Sequence, residues 1–388
     1  MTSRPLAVAV VTFATFTDLI AYSICAPVLP DLASRLGASP TIIGLLFGSF
    51  GITVLAVSIP MGRVADAAGR RGPLVVSAVA LGVSSILFAL SHTLAGLFAA
   101  RMAQGAADGV MWIAGLALIA DLYGPEDRGR VMGYMMSGTS VGVMIGPTLG
   151  GWLYEAGGIE TPFFVVAGMS LLCAVAFLIV VRSTPPSHDA APPILSVLTH
   201  GDVARCAGLI VVIGMTFAMF EPVLPLYFAS AFGLTPSRIG MVFGASALAS
   251  AIMPFVYGPL VPRFGARPMM TTGLILTALT MPLFTLATGF WSMIPIVFLQ
   301  SSASSLVITP SLAYMAEVTS FAGVSAYGIG YGVYNAAWAL GLLIGPASGG
   351  YLFQHLGFNK LVLAWAPMMM VITFLIGGWP RRASARPV

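Results

Sequence analysis

Asp18, Arg101, Asp108 and Glu221 are the residues of this 388-residue chain best placed to do chemistry, because each interrupts a long apolar run. An ion at the centre of a bilayer costs about 2.5–3.5 kcal/mol on insertion scales, so an ionisable group kept there points to a function. Asp18 lies halfway along the first run, in TFTDLIAYS. A carboxyl removed from water holds a proton more readily, so Asp18 is a candidate proton carrier or counter-ion for a cationic substrate. The plainer alternative is a hydrogen bond to a neighbouring helix. Glu221 stands immediately before Pro222. The proline removes a backbone donor and frees a carbonyl one turn earlier, the kind of broken helix at which transport sites open. Glu221 is therefore a candidate for both proton coupling and substrate binding, or else a protonated cap on that broken helix. Arg101 and Asp108 are seven residues apart, on one helix face about 10.5 Å along the axis. That is too far for a close pair, so Arg101 is expected to bond carboxylates or carbonyls of spans 1 or 5. Asp108 reads either as a second proton site or as a lining acid without a transport role.

The elements that must hold these groups are membrane spans. The chain is 58% hydrophobic and 8% charged, against roughly 25% charged residues in a soluble domain. Twelve apolar stretches are long enough to cross about 30 Å of hydrocarbon: 6–30, 41–63, 73–92, 94–122, 129–154, 161–182, 203–231, 237–262, 268–287, 290–318, 324–353 and 359–379. The pattern predicts an all-α integral membrane protein and excludes a β-barrel, which shows short alternating segments. The first run reads as a spanning helix rather than a cleavable leader.

Thirteen of the 17 Lys and Arg residues fall on one side if both termini are cytoplasmic: Arg4, Arg63, Arg70, Arg71, Arg128, Arg130, Arg182, Arg205, Arg263, Arg267, Arg381, Arg382 and Arg386. Arg35, Arg238 and Lys360 fall on the other. This is the positive-inside bias, and it accounts for the net charge of +4 without a nucleic-acid partner. The excess of Arg over Lys, the short external loops and the lack of a glycosylation sequon point to a bacterial inner (plasma) membrane. Cys25, Cys173 and Cys206 lack metal or redox spacing and read as small core residues. His92, His188, His200 and His355 lie in loops or at span ends. With no nucleophile–base pair and no metal cluster apparent, neither an enzyme nor a metal or organic cofactor is expected.

The one break in composition, STPPSHDAAPPILSVLTHGD at 183–202, separates an N-terminal bundle (1–182) from a C-terminal one (203–388). The halves repeat. Ala26-Pro27-Val28-Leu29-Pro30 returns as Glu221-Pro222-Val223-Leu224-Pro225, GRVADAAGRR at 62–71 returns as GPLVPRFGAR at 258–267, and GPTLGG at 146–151 returns as GPASGG at 345–350. Two six-helix pseudo-symmetric bundles rocking around a midplane site are expected.

GRVADAAGRR, LFAARMAQG at 97–105 and GTSVGVMIGPTLGG at 138–151 together resemble the loop, arginine and antiporter motifs of the major facilitator superfamily, in its drug:proton antiporter group. MFEPVLPLYF at 219–228, YGVYNAAWALGLLIGPASGG at 331–350 and Asp18 are most similar to the vesicular amine transporters and their bacterial relatives. The resemblance implies proton coupling through Asp18 and Arg101 and substrate contact at Glu221. It also implies a solute exchanged against the proton gradient, with no cofactor. The chain departs from those relatives in having Phe50 for a lysine, Asn335 for an aspartate and the apolar Ile308 near the position of another aspartate of theirs. With fewer acids in the C-terminal half, coupling would run through the N-terminal half.

Three further features complete the expectation. Asp66, Arg70, Arg71 and Asp121 form a candidate gating latch, in which Arg70 or Arg71 bridges to Asp121 and holds the cytoplasmic side closed. Gly138, Gly142, Gly146, Gly150 and Gly151 of span 5 suit close helix packing, here expected against span 8. Tyr327, Tyr331, Tyr334 and Trp338 form one stripe on span 11. Beside Asn335, Arg101 and the acids of spans 1 and 7, the stripe could cage an organic cation. The function expected is a monomeric proton-coupled antiporter exporting amphiphilic organic cations. Export of a neutral or anionic solute with Arg101 as the anion contact is the runner-up, and a non-transporting membrane sensor is the alternative of another class.

Overall fold

A computed structural model describes residues 3–182, 201–321 and 327–377. Among the described residues, twelve long helices follow in order: α1 (Arg4–Arg35), α2 (Pro40–Ala68), α3 (Arg71–Leu90), α4 (Leu94–Leu122), α5 (Pro125–Gly157), α6 (Thr161–Val180), α7 (Gly201–Phe232), α8 (Pro236–Tyr257), α9 (Ala266–Thr280), α10 (Phe290–Phe321), α11 (Tyr327–Leu356) and α12 (Phe358–Gly377). Short 3-10 turns extend α8 and α9, the first leading into a last helical turn, Val261–Phe264. Among the described residues, eleven helices are long and apolar enough to cross a membrane. The expected linker lies outside the described residues except for Gly201 and Asp202, which form the first turn of α7.

Helix starts follow local chemistry. Ser39 precedes Pro40 and its side chain accepts from the Ile42 N–H, and Thr93 caps α4 through the Gly96 N–H. A proline in the first turn has no N–H to waste and a φ suited to the helix. The α2–α3 turn passes through Gly69 at φ 73°, and its repeat passes through Gly265 at φ 81°. Both conformations exclude a β-carbon at little cost only for glycine.

The α1–α6 bundle holds two buried apolar clusters and the α7–α12 bundle holds one. A small fourth cluster of Phe50, Ala218 and Leu342, flanked by Tyr22, Val54 and Trp338, bridges the bundles near mid-membrane. The remaining junctions lie toward the face opposite the N-terminus. There a β-carbon at Gly44 or Gly48 would meet the α11 backbone at Pro346 or Leu343, and one at Gly240 would meet the α5 backbone at Pro147. Glycine at these points lets helix backbones touch.

The two junctions are copies. Gly44 against Pro346 corresponds to Gly240 against Pro147. The Gln354 Oε1 accepts from the Thr41 N–H at 3.1 Å, and the Glu155 Oε1 accepts from the Ser237 N–H at 3.0 Å. In each case a side chain from the end of one helix fills an unpaired donor at the start of the facing helix.

The α5 glycines are not used as expected. Gly138, Gly142, Gly146 and Gly150 face Thr12, Phe16, Ser23 and Ile24 of α1 in their own bundle, and only Gly151 meets α8, at Pro236 and Ser237. The repeat is faithful: Gly341, Gly345 and Gly349 face Met215 and Met219 of α7, while Gly350 meets α2. Glycines four apart share one face, and the glycine one residue further on turns about 100° away from it.

A cysteine pair replacing Thr41 and Gln354, whose hydroxyl and amide lie 2.6 Å apart, should be bridged by a short bifunctional thiol reagent. Adding Gly44→Val should lower that yield several-fold and destabilise the junction by about 1–3 kcal/mol. An unchanged yield would refute the backbone contact.

Candidate functional site

The four intramembrane ionisable residues divide into two groups. Arg101, Gln104, Asp108 and Trp112 follow at three- and four-residue steps on α4, so they share one face. Asp18 of α1 is 1% exposed, and its carboxyl lies beside that of Asp108, both within reach of the Trp112 indole. Its Oδ2 has no hydrogen-bond partner. The pair joins a buried carboxyl, Asp18, to a half-buried one, Asp108.

Arg101 is the bulkiest fully buried side chain. Its partners differ from the expectation: a guanidinium nitrogen donates to the Gln104 Oε1 of its own helix at 2.7 Å, with no bond to a carboxylate of α1 or α5. The rest of the charge lies against three rings, with Cζ 4.7 Å from the Phe50 centroid, 5.0 Å from Phe47 and 5.1 Å from Tyr22. Cation–π contact gains value as water is excluded, and here it replaces the expected carboxylate. The Arg101 Nε has no partner.

Glu221 belongs to the other group. Burial in α7 leaves it 6% exposed, and its Oε2 accepts a 2.7 Å hydrogen bond from the Tyr22 hydroxyl of α1. The bond joins the bundles in mid-membrane. Both residues line a cavity of about 120 Å³ between α1, α5, α7, α8, α9 and α10. Phe217, Phe220, Phe243 and Phe284 supply aromatic walls, while Ser246, Ser250, Ser301, Ser304 and Gln300 supply polar ones. Ser246 and Ser301 bond each other at 2.6 Å, which leaves one hydroxyl hydrogen of the pair unspent. Gln300 accepts from Thr280. Among the residues lining this cavity, Glu221 is the one that carries a charge.

Asp18, Asp108, Arg101, Asn335, Tyr334 and Trp338 do not line it. The described part of the α11 stripe, Tyr334 and Trp338, instead packs within and between the bundles. Tyr334 joins the α7–α12 core and accepts from Ser311 at 3.4 Å, and Trp338 lies 6.0 Å from Phe217. Asn335 is half-buried. The side chains of Tyr327 and Tyr331 lie outside the described residues, as does that of Asp66 in the candidate latch. The remaining latch residues are partly paired as expected. Arg70 meets Asp121 at 2.8 Å, but Arg71 donates to the Leu178 carbonyl of α6 at 2.6 Å. All these partners belong to the α1–α6 bundle, so in this conformation the Arg70–Asp121 pair braces one bundle and does not cross between the two.

Gln104, Gln300 and the serines of α8 and α10 were not singled out from the sequence. Gln104 was legible, since a residue three positions from a buried arginine shares its face. The serines were not, because serine is ordinary in membrane helices and only packing says which hydroxyls meet.

A model of the Major Facilitator Superfamily matches residues 11–200 and 206–387. The chain belongs to that superfamily. It is 28% identical over 323 residues to the synaptic vesicular amine transporters of Bos taurus and Homo sapiens, covering 82% of this chain. It spans 62% and 63% of the length of those proteins. It is 25% identical to the human MFS-type transporter SLC18B1, over 93% of this chain and 82% of that protein. The fold matches a solved bacterial homologue of the human lysosomal transporter Spinster, inward-facing and occupied, with TM-score 0.80 at 12% identity over 97% of this chain and 96% of that one. Family and relatives are transporters, not enzymes.

Replacing Gln104 by Leu removes the charge-assisted bond to Arg101 and should destabilise the protein by about 1.5–3 kcal/mol, read as a lower melting temperature in detergent. Gln104→Glu keeps an acceptor and should recover most of the loss. Equal melting of Gln104→Leu and the native protein would show that the rings alone hold the charge.

Proposed function

We propose that this superfamily member is a proton-coupled antiporter that exports amphiphilic organic cations by alternating access. The observation that carries the reading is a cavity with one carboxyl, Glu221, set among phenylalanines and hydroxyls. An ammonium would pair with the carboxylate, an apolar body would lie against the rings, and a polar tail would meet Ser246, Ser301 or Gln300. The vesicular amine transporters to which the chain is similar are named for cargo of this kind.

In this reading the proton is carried by Asp18 with Asp108. Two carboxyls in contact can share one proton, and Arg101 is close enough to act electrostatically on both Asp108 and Glu221. A charge change at either acid is then felt at the other through the guanidinium, which is the coupling that exchange needs. The cavity is smaller than the roughly 300–1,000 Å³ of sites for drug-sized ligands, so cargo would enter a state in which the bundles stand further apart. An anionic cargo fits less well, because Arg101 is enclosed by rings and does not line the cavity.

We read the N-terminal face as cytoplasmic and the membrane as a bacterial plasma membrane, the chain acting as a monomer. Arg4, Arg70, Arg71, Arg130, Arg182, Arg205, Arg263 and Arg267 belong to the N-terminal face, against Arg35, Arg238 and Lys360 at the other, which supports that orientation. The junctions around Gly44 and Gly240 would then be the external closure.

In reconstituted vesicles, a lipophilic amine should drive counterflow of protons. Asp18→Asn should abolish the proton flux while retaining amine binding, and Glu221→Gln should weaken amine binding at least about tenfold, the cost of one charged contact. Undiminished coupled flux in Asp18→Asn would sink the proton-carrier assignment. Competition by sugars or carboxylates instead of amines would favour the other substrate class.

A further inference from the structure

The Tyr22–Glu221 hydrogen bond has two properties that together suggest a role beyond lining the cavity. First, it gives a nearly water-free carboxyl its partner. At 6% exposure Glu221 has little solvent to fall back on, and a buried acid left without a partner is costly. The Tyr22 hydroxyl, 2.7 Å from Oε2, fills the place that a substrate donor would take.

Second, donor and acceptor belong to different bundles. Tyr22 is on α1 and Glu221 on α7. Among the described residues, Thr41 to Gln354, Ser237 to Glu155 and Thr148 to Gly240 also join the bundles, toward the face opposite the N-terminus. The Tyr22 bond is the deep one. Its ring is braced within its own bundle, 5.1 Å from the Phe50 ring and 5.1 Å from the Arg101 Cζ. When the bundles rock, Tyr22 stays with Arg101 and Glu221 leaves with α7.

We propose that Tyr22 is an internal stand-in for the substrate: its hydroxyl occupies Glu221 in the empty protein, and an organic ammonium must displace it, breaking the deep bond between the bundles as it binds. This rests on the reading that the cavity takes an organic cation. Tyr22 is thus a positioning residue that opposes binding and ties occupancy to bundle movement. A neutral amphiphile of the same shape lacks the charge to displace the phenol and leaves the bond intact.

A residue that contacts cargo and one that competes with it give opposite signs on removal. Tyr22→Phe keeps the ring against Phe50 and Arg101 and deletes only the hydroxyl. With 2-phenylethylamine as the probe, the purified Tyr22→Phe protein should bind about three- to tenfold more tightly than the native protein, the worth of one hydrogen bond to a competitor. In vesicles its KM should fall while kcat also falls, because tighter ground-state binding slows release. A purely structural tyrosine would lower the melting temperature without raising affinity. Unchanged or weaker binding by Tyr22→Phe, with the native protein binding the amine, overturns the stand-in role alone. Failure of the native and the Tyr22→Phe proteins alike to bind the amine overturns the organic-cation reading and this inference with it.

Discussion

Backbone contact between glycines and facing helices at one end of the molecule is the constraint from which the rest follows. At Gly44 and Gly240 there is no room for a β-carbon beside the carbonyls of Pro346 and Pro147, so α2 closes on α11 and α5 on α8. Two bundles joined there and at a small mid-membrane patch around Phe50, Ala218 and Leu342 can leave a cavity between them. Because the chain is duplicated, both contacts come from one solution used twice, down to the Gln354 and Glu155 side chains that fill the facing helix starts.

Burial of Arg101 is the second condition. An arginine inside a membrane protein ordinarily pairs with a carboxylate, yet here one amide and three rings enclose it. Phe50 is one of those rings. A second cation in its place would repel the guanidinium, whereas a ring attracts it. The arrangement leaves both nearby acid groups free of a direct salt bridge to Arg101. That keeps Asp18 and Asp108 beside each other and leaves Glu221 to Tyr22.

The acids therefore fall into two separate places that the sequence had suggested might be one. Asp18 and Asp108 lie within the α1–α6 bundle, while Glu221 faces the cavity between the bundles. Apart from Glu221, the α7–α12 wall of that cavity is built from phenylalanines, hydroxyls and the Gln300 amide.

Much of this was legible in the residues. Twelve spans, the division into halves and the charges worth asking about follow from composition, because a bilayer admits little except apolar helices and makes every buried ion conspicuous. The helix ends moved by only a few residues. What the sequence could not decide was direction around each helix and the neighbour found there. The α5 glycine row turned to α1 instead of α8, Tyr334 and Trp338 turned into the packing and away from the cavity, Arg71 reached Leu178, and Arg101 chose Gln104. Each depends on a rotation of about 100° per residue relative to a partner far away in the chain, and local propensity carries no information about that partner. The Tyr22–Glu221 bond, 199 residues apart, is the clearest case: its chemistry is written in two residue types, and its existence only in the meeting of two bundles.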